Sequence, residues 1–237
     1  MRKLILSMSS DAKTVKGEKL GFYTGILYLA PSNISGYNVC SMAKLAECET
    51  PCLYSAGRGA FNSTQTARVN KTKRFFEDRE NFMLDLEYSI KALVRKAGRL
   101  GLTPLVRLNG TSDIAFENIP YKGFNNIFEY FSDLQFYDYT KIPTRKNIPA
   151  NYDLTFSYSG VATFQKAIAK ASINNKLARI AVVFDKVENI PNTFLNLEVI
   201  SGDNSDVRHL DGRHKIVALY AKGKAKKDFS GFVVRGV

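Results

Sequence analysis

Apolar positions along the chain follow two periods that alternate. Residues 21–31, Gly-Phe-Tyr-Thr-Gly-Ile-Leu-Tyr-Leu-Ala-Pro, are rich in aromatic and β-branched side chains and end at Pro31, which predicts a buried strand. From about Asn62 to Leu100 the spacing lengthens. Phe82, Leu86, Ile90, Leu93 and Ala97 recur every three or four residues, the period of one helix face, and Gly98 and Gly101 supply stop signals. Leu105-Val106-Arg107-Leu108 reads as a short strand, and Phe124, Ile127, Phe128, Phe131 and Leu134 mark a second helix face. Strands at 135–140, 154–158 and 178–184 follow, with a helix at 161–173 whose apolar face is Phe164, Ala167, Ile168 and Ala171.

This alternation implies βαβ units, because a strand returns parallel to its neighbour only through a crossover long enough to hold a helix. Beyond Asp185 the pattern changes: 194–200, 216–220 and 229–234 are strand-like with no helix between them. The expected fold is therefore α/β, an incomplete (β/α) TIM-like barrel of mostly parallel strands that closes with antiparallel strands at the C-terminus. A single domain over residues 1–237 is expected, with a β/α partial barrel at 1–185 carrying a cysteine loop at 36–60, then a β-rich part at 186–237. Residues 141–151, with two prolines and three basic residues, read as a long surface loop.

Composition narrows the class. At 45% hydrophobic and 24% charged, the 237 residues exclude collagen, coiled coil and disorder. No apolar run approaches the roughly 20 residues of a membrane span. Leu4-Ile5-Leu6 is shorter than a signal-peptide core, so a cytoplasmic protein without a membrane partner is expected. The net charge is +12 and is unevenly placed: 16 basic against 9 acidic groups over residues 1–100, 10 against 11 over 101–207, and 8 against 2 over 208–237. Such a charge favours nucleic acid or another polyanion, and a hydrated basic surface explains it equally well.

Three cysteines lie in one 13-residue window, Cys40-x7-Cys48-x3-Cys52, directly after the first predicted strand. An odd count does not make a disulfide framework. Three thiolates in one loop suit zinc or an iron–sulfur cluster. A closed zinc site wants four ligands and would need a distant partner such as His209 or His214, whereas a cubane cluster can be held by three cysteines with one iron left open. Ordinary buried or surface thiols are the competing reading. Gly57-Arg58-Gly59 follows, offering backbone amides and a cation to an anionic centre.

Other polar groups gather at strand ends. Asn109, Gly110, Thr111, Ser112 and Asp113 follow the second predicted strand, where α/β barrels place ligand loops, and a turn with a helix cap would use the same residues. Ser157, Ser159, Asp185 and Lys186 end later strands. The loop 202–214 holds both histidines, His209 and His214, and could serve acid/base or metal chemistry or be a solvated turn. Asp113, His209 and His214 are the candidates for a fourth ligand. Basic residues cluster at Arg58, Arg68, Lys71, Lys73, Arg74 and Arg79, and at Lys222, Lys224, Lys226 and Lys227. The second run reads as a cationic hairpin tip that could rest on phosphates or block strand addition at an edge.

The cysteine loop with Cys52-Leu53-Tyr54, the stretch Arg107-Leu108-Asn109-Gly110-Thr111-Ser112-Asp113, and the closing Ala221-Lys222-Gly223-Lys224 and Ser230-Gly231-Phe232-Val233 together resemble the bacteriophage "gene product eighty-eight"-like family over nearly the whole chain. That resemblance implies action in the cytoplasm of an infected bacterium and brings no established reaction. More distantly, three cysteines after the first strand of a partial barrel are similar to radical S-adenosylmethionine enzymes. By position, Cys40, Cys48 and Cys52 would hold a [4Fe-4S] cluster, and Asn109 to Asp113 would support S-adenosylmethionine. The spacing departs from that superfamily's C-x3-C-x2-C, and no Gly-Gly-Glu follows the second strand.

Three functions are therefore expected as alternatives. One is a [4Fe-4S] protein with radical chemistry. Another is a nucleic-acid-binding phage protein with a structural iron–sulfur or zinc site, acting in replication or host takeover. The third is a redox or oxygen sensor that contacts a host protein.

Overall fold

A computed structural model describes residues 2–8 and 12–236. In chain order the first elements are β1 (Ser7–Met8), α1 (Ala12–Glu18), β2 (Phe22–Ile26), α2 (Asn62–Glu77), α3 (Arg79–Leu100), β3 (Thr103–Arg107), α4 (Ile127–Tyr130) and β4 (Gln135–Thr140). They are followed by β5 (Tyr152–Ser157), α5 (Gln165–Ser172), β6 (Arg179–Phe184), β7 (Thr193–Phe194), β8 (Leu197–Ser201) and β9 (Ile216–Tyr220). The strands form one sheet in the order β1-β2-β3-β4-β5-β6-β9-β8-β7. Every pairing from β2 through β8 is parallel, and only the two-residue edge strands β1 and β7 are antiparallel.

Three expectations change here. The late strands β8 and β9 run parallel with the rest, and antiparallel pairing is confined to the edges. Residues 229–234 form no strand, although Val234 bridges Phe184. The long helical stretch breaks at Asp78, whose φ of −140° and ψ of 57° are not helical, giving α2 and α3.

The first five parallel strands step across the sheet in one direction, and β9 steps back from β8 toward β6. Parallel crossovers are right-handed, so reversing the step puts the connection on the opposite face. Helices α2 to α5 accordingly pack on one face, where Tyr23, Val106, Phe136, Phe156, Ile180, Val182 and Ile216 join Phe82, Leu86, Ile90, Leu93, Phe128 and Phe164 in one core, whereas α1 lies by the β8–β9 crossover, with Lys16 Nζ donating to the Asp203 carbonyl at 2.8 Å. The β8–β9 crossover, residues 202–215, covers the other face. There Val207 packs on Leu105, Tyr137 and Phe22.

Two glycines are fixed by this packing. A Cβ at Gly25 would sit 3.0 Å from Leu93 and 3.2 Å from Leu6, so glycine lets α3 lie close on β2. Gly101 ends α3 in the left-handed region at φ 66°, and Leu102 N–H closes the turn on the Ala97 carbonyl at 3.0 Å.

The second face is polar and closed by ion pairs. Arg107 Nη1 meets Asp206 Oδ2 at 2.5 Å, and Arg179 grips Asp153 at 2.6 and 3.1 Å. Arg208, buried, pairs with Asp211 at 2.9 Å. The 202–214 segment is thus a cover with buried Asp206, Val207 and Arg208, which revises the expectation of a solvated turn.

Candidate metal centre at the carboxyl ends of the strands

Between β2 and α2 the chain runs for 35 residues over the carboxyl ends of the neighbouring strands. Main-chain and hydroxyl bonds pin it there. Gly110 N–H donates to the Leu27 carbonyl at 3.0 Å, Thr111 Oγ1 to Leu29 at 2.5 Å and Asp113 N–H to Val39 at 2.8 Å, all from the loop after β3. Ser159 Oγ and Thr163 Oγ1, beyond β5, donate to the carbonyls of Ala46 at 2.8 Å and Leu45 at 2.9 Å. Two short turns, Ala43 N–H to Cys40 and Cys48 N–H to Ala43, each 3.1 Å, fold Cys48 back toward Cys40.

Cys40, Cys48 and Cys52 are all free thiols and all half-buried. Cys40 Sγ–H donates to the Thr111 carbonyl at 3.9 Å. Burial pushes the Cys40 thiol up to about 12, and Asp113, Cys52 and Cys48 add to the rise against a backbone bond that lowers it. Cys48 is pushed up to about 11, again chiefly by burial, with Lys141 opposing. Burial likewise raises Cys52, opposed by a backbone bond at Tyr54 and by Arg68 and Lys141. Each thiol therefore lies within the electrostatic reach of at least one other, and all three within that of Lys141. Without a metal they are protonated near neutrality, and a bound metal would replace those protons.

Lys141 is the cation of this end. It is the first residue after β4, and its ammonium donates to Ser157 O at 3.1 Å, Ser157 Oγ at 3.0 Å and Tyr158 O at 3.2 Å. The ring of Phe232 lies 4.8 Å away and that of Phe164 5.4 Å away. Burial lowers its pKa, opposed by the three thiols and Asp113. Among the described residues its ammonium forms no ion pair with a carboxylate; its three partners are neutral oxygens. Arg68 stands by Cys52, its guanidinium 4.6 Å from the Tyr28 ring and 5.6 Å from that of Tyr54.

The stretch 109–113 lies beside the thiols, with its polar side chains engaged inside the protein. Asn109 Oδ1 accepts from Ser112 Oγ at 2.9 Å and from Ile114 N–H at 2.8 Å, and Asn109 Nδ2 donates to Ile114 O at 3.0 Å. Asp113 accepts from Lys141 N–H at 2.7 Å and from Arg145 at 3.2 Å. Gly110 is fixed by close approach: a Cβ would come within 2.6 Å of both Ile26 and the Tyr28 ring. Ser157 and Ser159 serve the same end, through Lys141 and Ala46. Asp185 Oδ1 instead accepts from Lys186 N–H at 2.9 Å and Asn189 at 2.8 Å.

The histidines lie at the other end of the sheet. His209 sits edge-on to Phe22, at the start of β2, and near Tyr137, while His214 N–H donates to Ala178 O just before β6. A zinc site completed by either histidine is thereby set aside, and Asp113 is the fourth-ligand candidate beside the thiols. Among the described residues no three His, Cys, Asp or Glu side chains are grouped so as to hold a metal.

The cationic run is not a hairpin tip. Residues Gly223–Lys227 form a short 3-10 helix whose Gly223 lies against Ala56, where a Cβ would come within 3.1 Å. Lys222 pairs with Asp203 at 2.8 Å and covers the Tyr220 ring, whereas Lys224, Lys226 and Lys227 are exposed. Sequence reasoning passed over Lys141, which it placed in a surface loop. Its position one residue past a parallel strand was the available signal.

The family model described as Gene product 88 matches residues 4–236. No curated protein and no solved structure matches the chain. Among the described residues no helix is long and apolar enough to cross a membrane.

Proposed function

The chain belongs to the Gene product 88 family of bacteriophage proteins, and from that premise we propose that it is an iron–sulfur protein holding a [4Fe-4S] cluster through Cys40, Cys48 and Cys52. The observation that carries this reading is the pairing of three mutually interacting thiols with Lys141, a partly buried ammonium whose hydrogen-bond partners among the described residues are all neutral. Thiolates on a cluster are anionic, and the low local dielectric makes an adjacent cation strongly stabilising.

Three thiols without a fourth ligand suit a cluster, which can leave one iron open, better than a closed zinc site, which wants four ligands. Zn–S bonds of about 2.3 Å in a tetrahedron would draw sulfurs to roughly 3.8 Å from one another. A cubane is a larger body whose irons accept thiolates set farther apart, and three cysteines leave one iron open. When bound, the cluster would supply one-electron chemistry and that open coordination position.

In the partial-barrel reading of the sheet, Asn109, Gly110, Thr111, Ser112 and Asp113 would support S-adenosylmethionine as the cofactor. Their side chains are engaged within the protein, as are the N–H groups of Asn109, Gly110 and Asp113. Lys141 fixes the electrostatics, and the 27–61 loop limits water at the thiols. The site of action is the cytoplasm of the infected host.

Iron and sulfide analysis with visible absorption and electron paramagnetic resonance on anaerobically purified protein tests the reading. Near-equal iron and sulfide, lost in a Cys40→Ala/Cys48→Ala/Cys52→Ala variant that keeps its melting temperature, is expected. Iron-free protein after anaerobic reconstitution overturns it. Failure of the reduced, loaded protein to cleave S-adenosylmethionine would remove the radical chemistry and leave the cluster.

A further inference from the structure

The surface flanking the thiols carries charge and apolar groups that a cluster does not use. From Pro51 to Phe76 the sequence contains Arg58, Arg68, Lys71, Lys73 and Arg74 and no carboxylate. The fold sets the second basic run against this stretch, because Gly223 touches Ala56. Arg58 is exposed, as are Lys224, Lys226 and Lys227, and among the described residues none of the four forms an ion pair. The one carboxylate of 221–235, Asp228, is buried and turned inward, accepting from Ser230 Oγ at 2.8 Å and Val233 N–H at 3.1 Å.

Large apolar side chains stand exposed on the same rim. Phe229, directly after this run, is 82% exposed, with the Arg235 guanidinium 4.3 Å from its ring. Leu53 is 58% exposed in the turn that precedes Ala56, and Phe61 is 63% exposed at the head of α2. Exposed apolar residues scattered singly need no account. Leu53 lies in the turn that packs on 223–227, Phe229 follows that run and Phe61 follows Arg58 along the chain, and an aromatic ring with a guanidinium on it is the platform on which unpaired bases stack.

We infer that this rim binds single-stranded nucleic acid, with Arg58, Lys224, Lys226 and Lys227 on phosphates and Phe229 stacked on a base. A duplex keeps its base faces stacked internally and would leave Phe229 without a partner. A base-free polyanion would use the cations alone. The inference does not rest on the cluster, since none of these side chains is a thiol ligand.

Fluorescence anisotropy with labelled strands of about 20 nucleotides, as DNA and as RNA, from about 50 mM salt upward tests it against an equal-length duplex and against heparin. Single strands should bind best. Phe229→Ala should weaken them by about fivefold or more while leaving heparin unchanged. Lys224→Ala/Lys226→Ala/Lys227→Ala should lower the slope of log K against log salt by about 2. The cysteine triple variant should bind as the native chain does, which separates this inference from the metal reading. All three variants are checked by thermal melting. Absence of single-strand binding overturns the inference, as does duplex or heparin binding of equal strength that Phe229→Ala leaves unchanged.

Discussion

The covered face of the sheet and the thiol site at its carboxyl ends handle charge differently. Under the β8–β9 crossover every buried guanidinium meets a carboxylate: Arg107 has Asp206, Arg179 has Asp153 and Arg208 has Asp211. At the carboxyl ends the hydrogen bonds of the Lys141 ammonium go, among the described residues, to neutral oxygens, with Asp113 within electrostatic reach and engaged by Arg145, beside three thiols that burial keeps protonated. The first arrangement is complete in itself and holds the fold. The second is electrostatically incomplete, and perturbed groups gathered at strand ends are where binding sites form.

Substitution at each of the two places should break the comparison if it is wrong. Arg179→Met leaves Asp153 without its bidentate partner next to the buried sheet face, and removing one member of a buried pair costs about 3–5 kcal/mol. A fall in melting temperature of roughly 10 °C is expected by calorimetry. Lys141→Met removes a cation with no carboxylate partner, so its cost is limited to hydrogen bonds, about 1–2 kcal/mol. Its larger effect should fall on the thiols. Lys141 holds Cys48 and Cys52 down, so in metal-free protein the variant should be alkylated by iodoacetamide several-fold more slowly, and it should retain less iron after reconstitution. Equal losses of stability at both places would erase the distinction.

The thiols also imply a pH dependence. Thiols raised to about 12 and 11 in the folded chain ionise near 8.5 when unfolded. Their stabilising contribution is present below about pH 8.5 and is lost as pH rises toward 11, because the unfolded state then holds fewer protons. Metal-free native protein should lose stability across that window more steeply than the cysteine triple variant in denaturant titrations. Parallel slopes would mean that the thiols are not buried as described.

Local pattern carried much of this architecture. The 135–140 strand matches β4, and the helix over 161–173 contains α5. The stretch 124–134 had helical spacing, yet only Ile127–Tyr130 is helical. Lys122 and Gly123 have positive φ, and Asn126 caps the short helix by accepting from Glu129 N–H at 3.0 Å. Tight turns took the flanking residues. The pair β7–β8 was read as one strand because Leu195 and Asn196, both at left-handed φ, form a two-residue turn that apolar spacing does not mark.

What the sequence by itself determined is what repeats locally: the strand–helix alternation, the cysteine loop after the first long strand, and the basic bias of the two termini. Tertiary structure alone decided that β9 enters between β6 and β8, and that the crossover carrying both histidines therefore covers the face away from helices α2 to α5. It alone set Lys141 by the thiols and Gly223 by Ala56. The physical reason is that periodicity records which face of an element is buried, whereas the direction of each step across the sheet decides which loops meet, and that direction is fixed by long-range strand pairing that leaves no local mark.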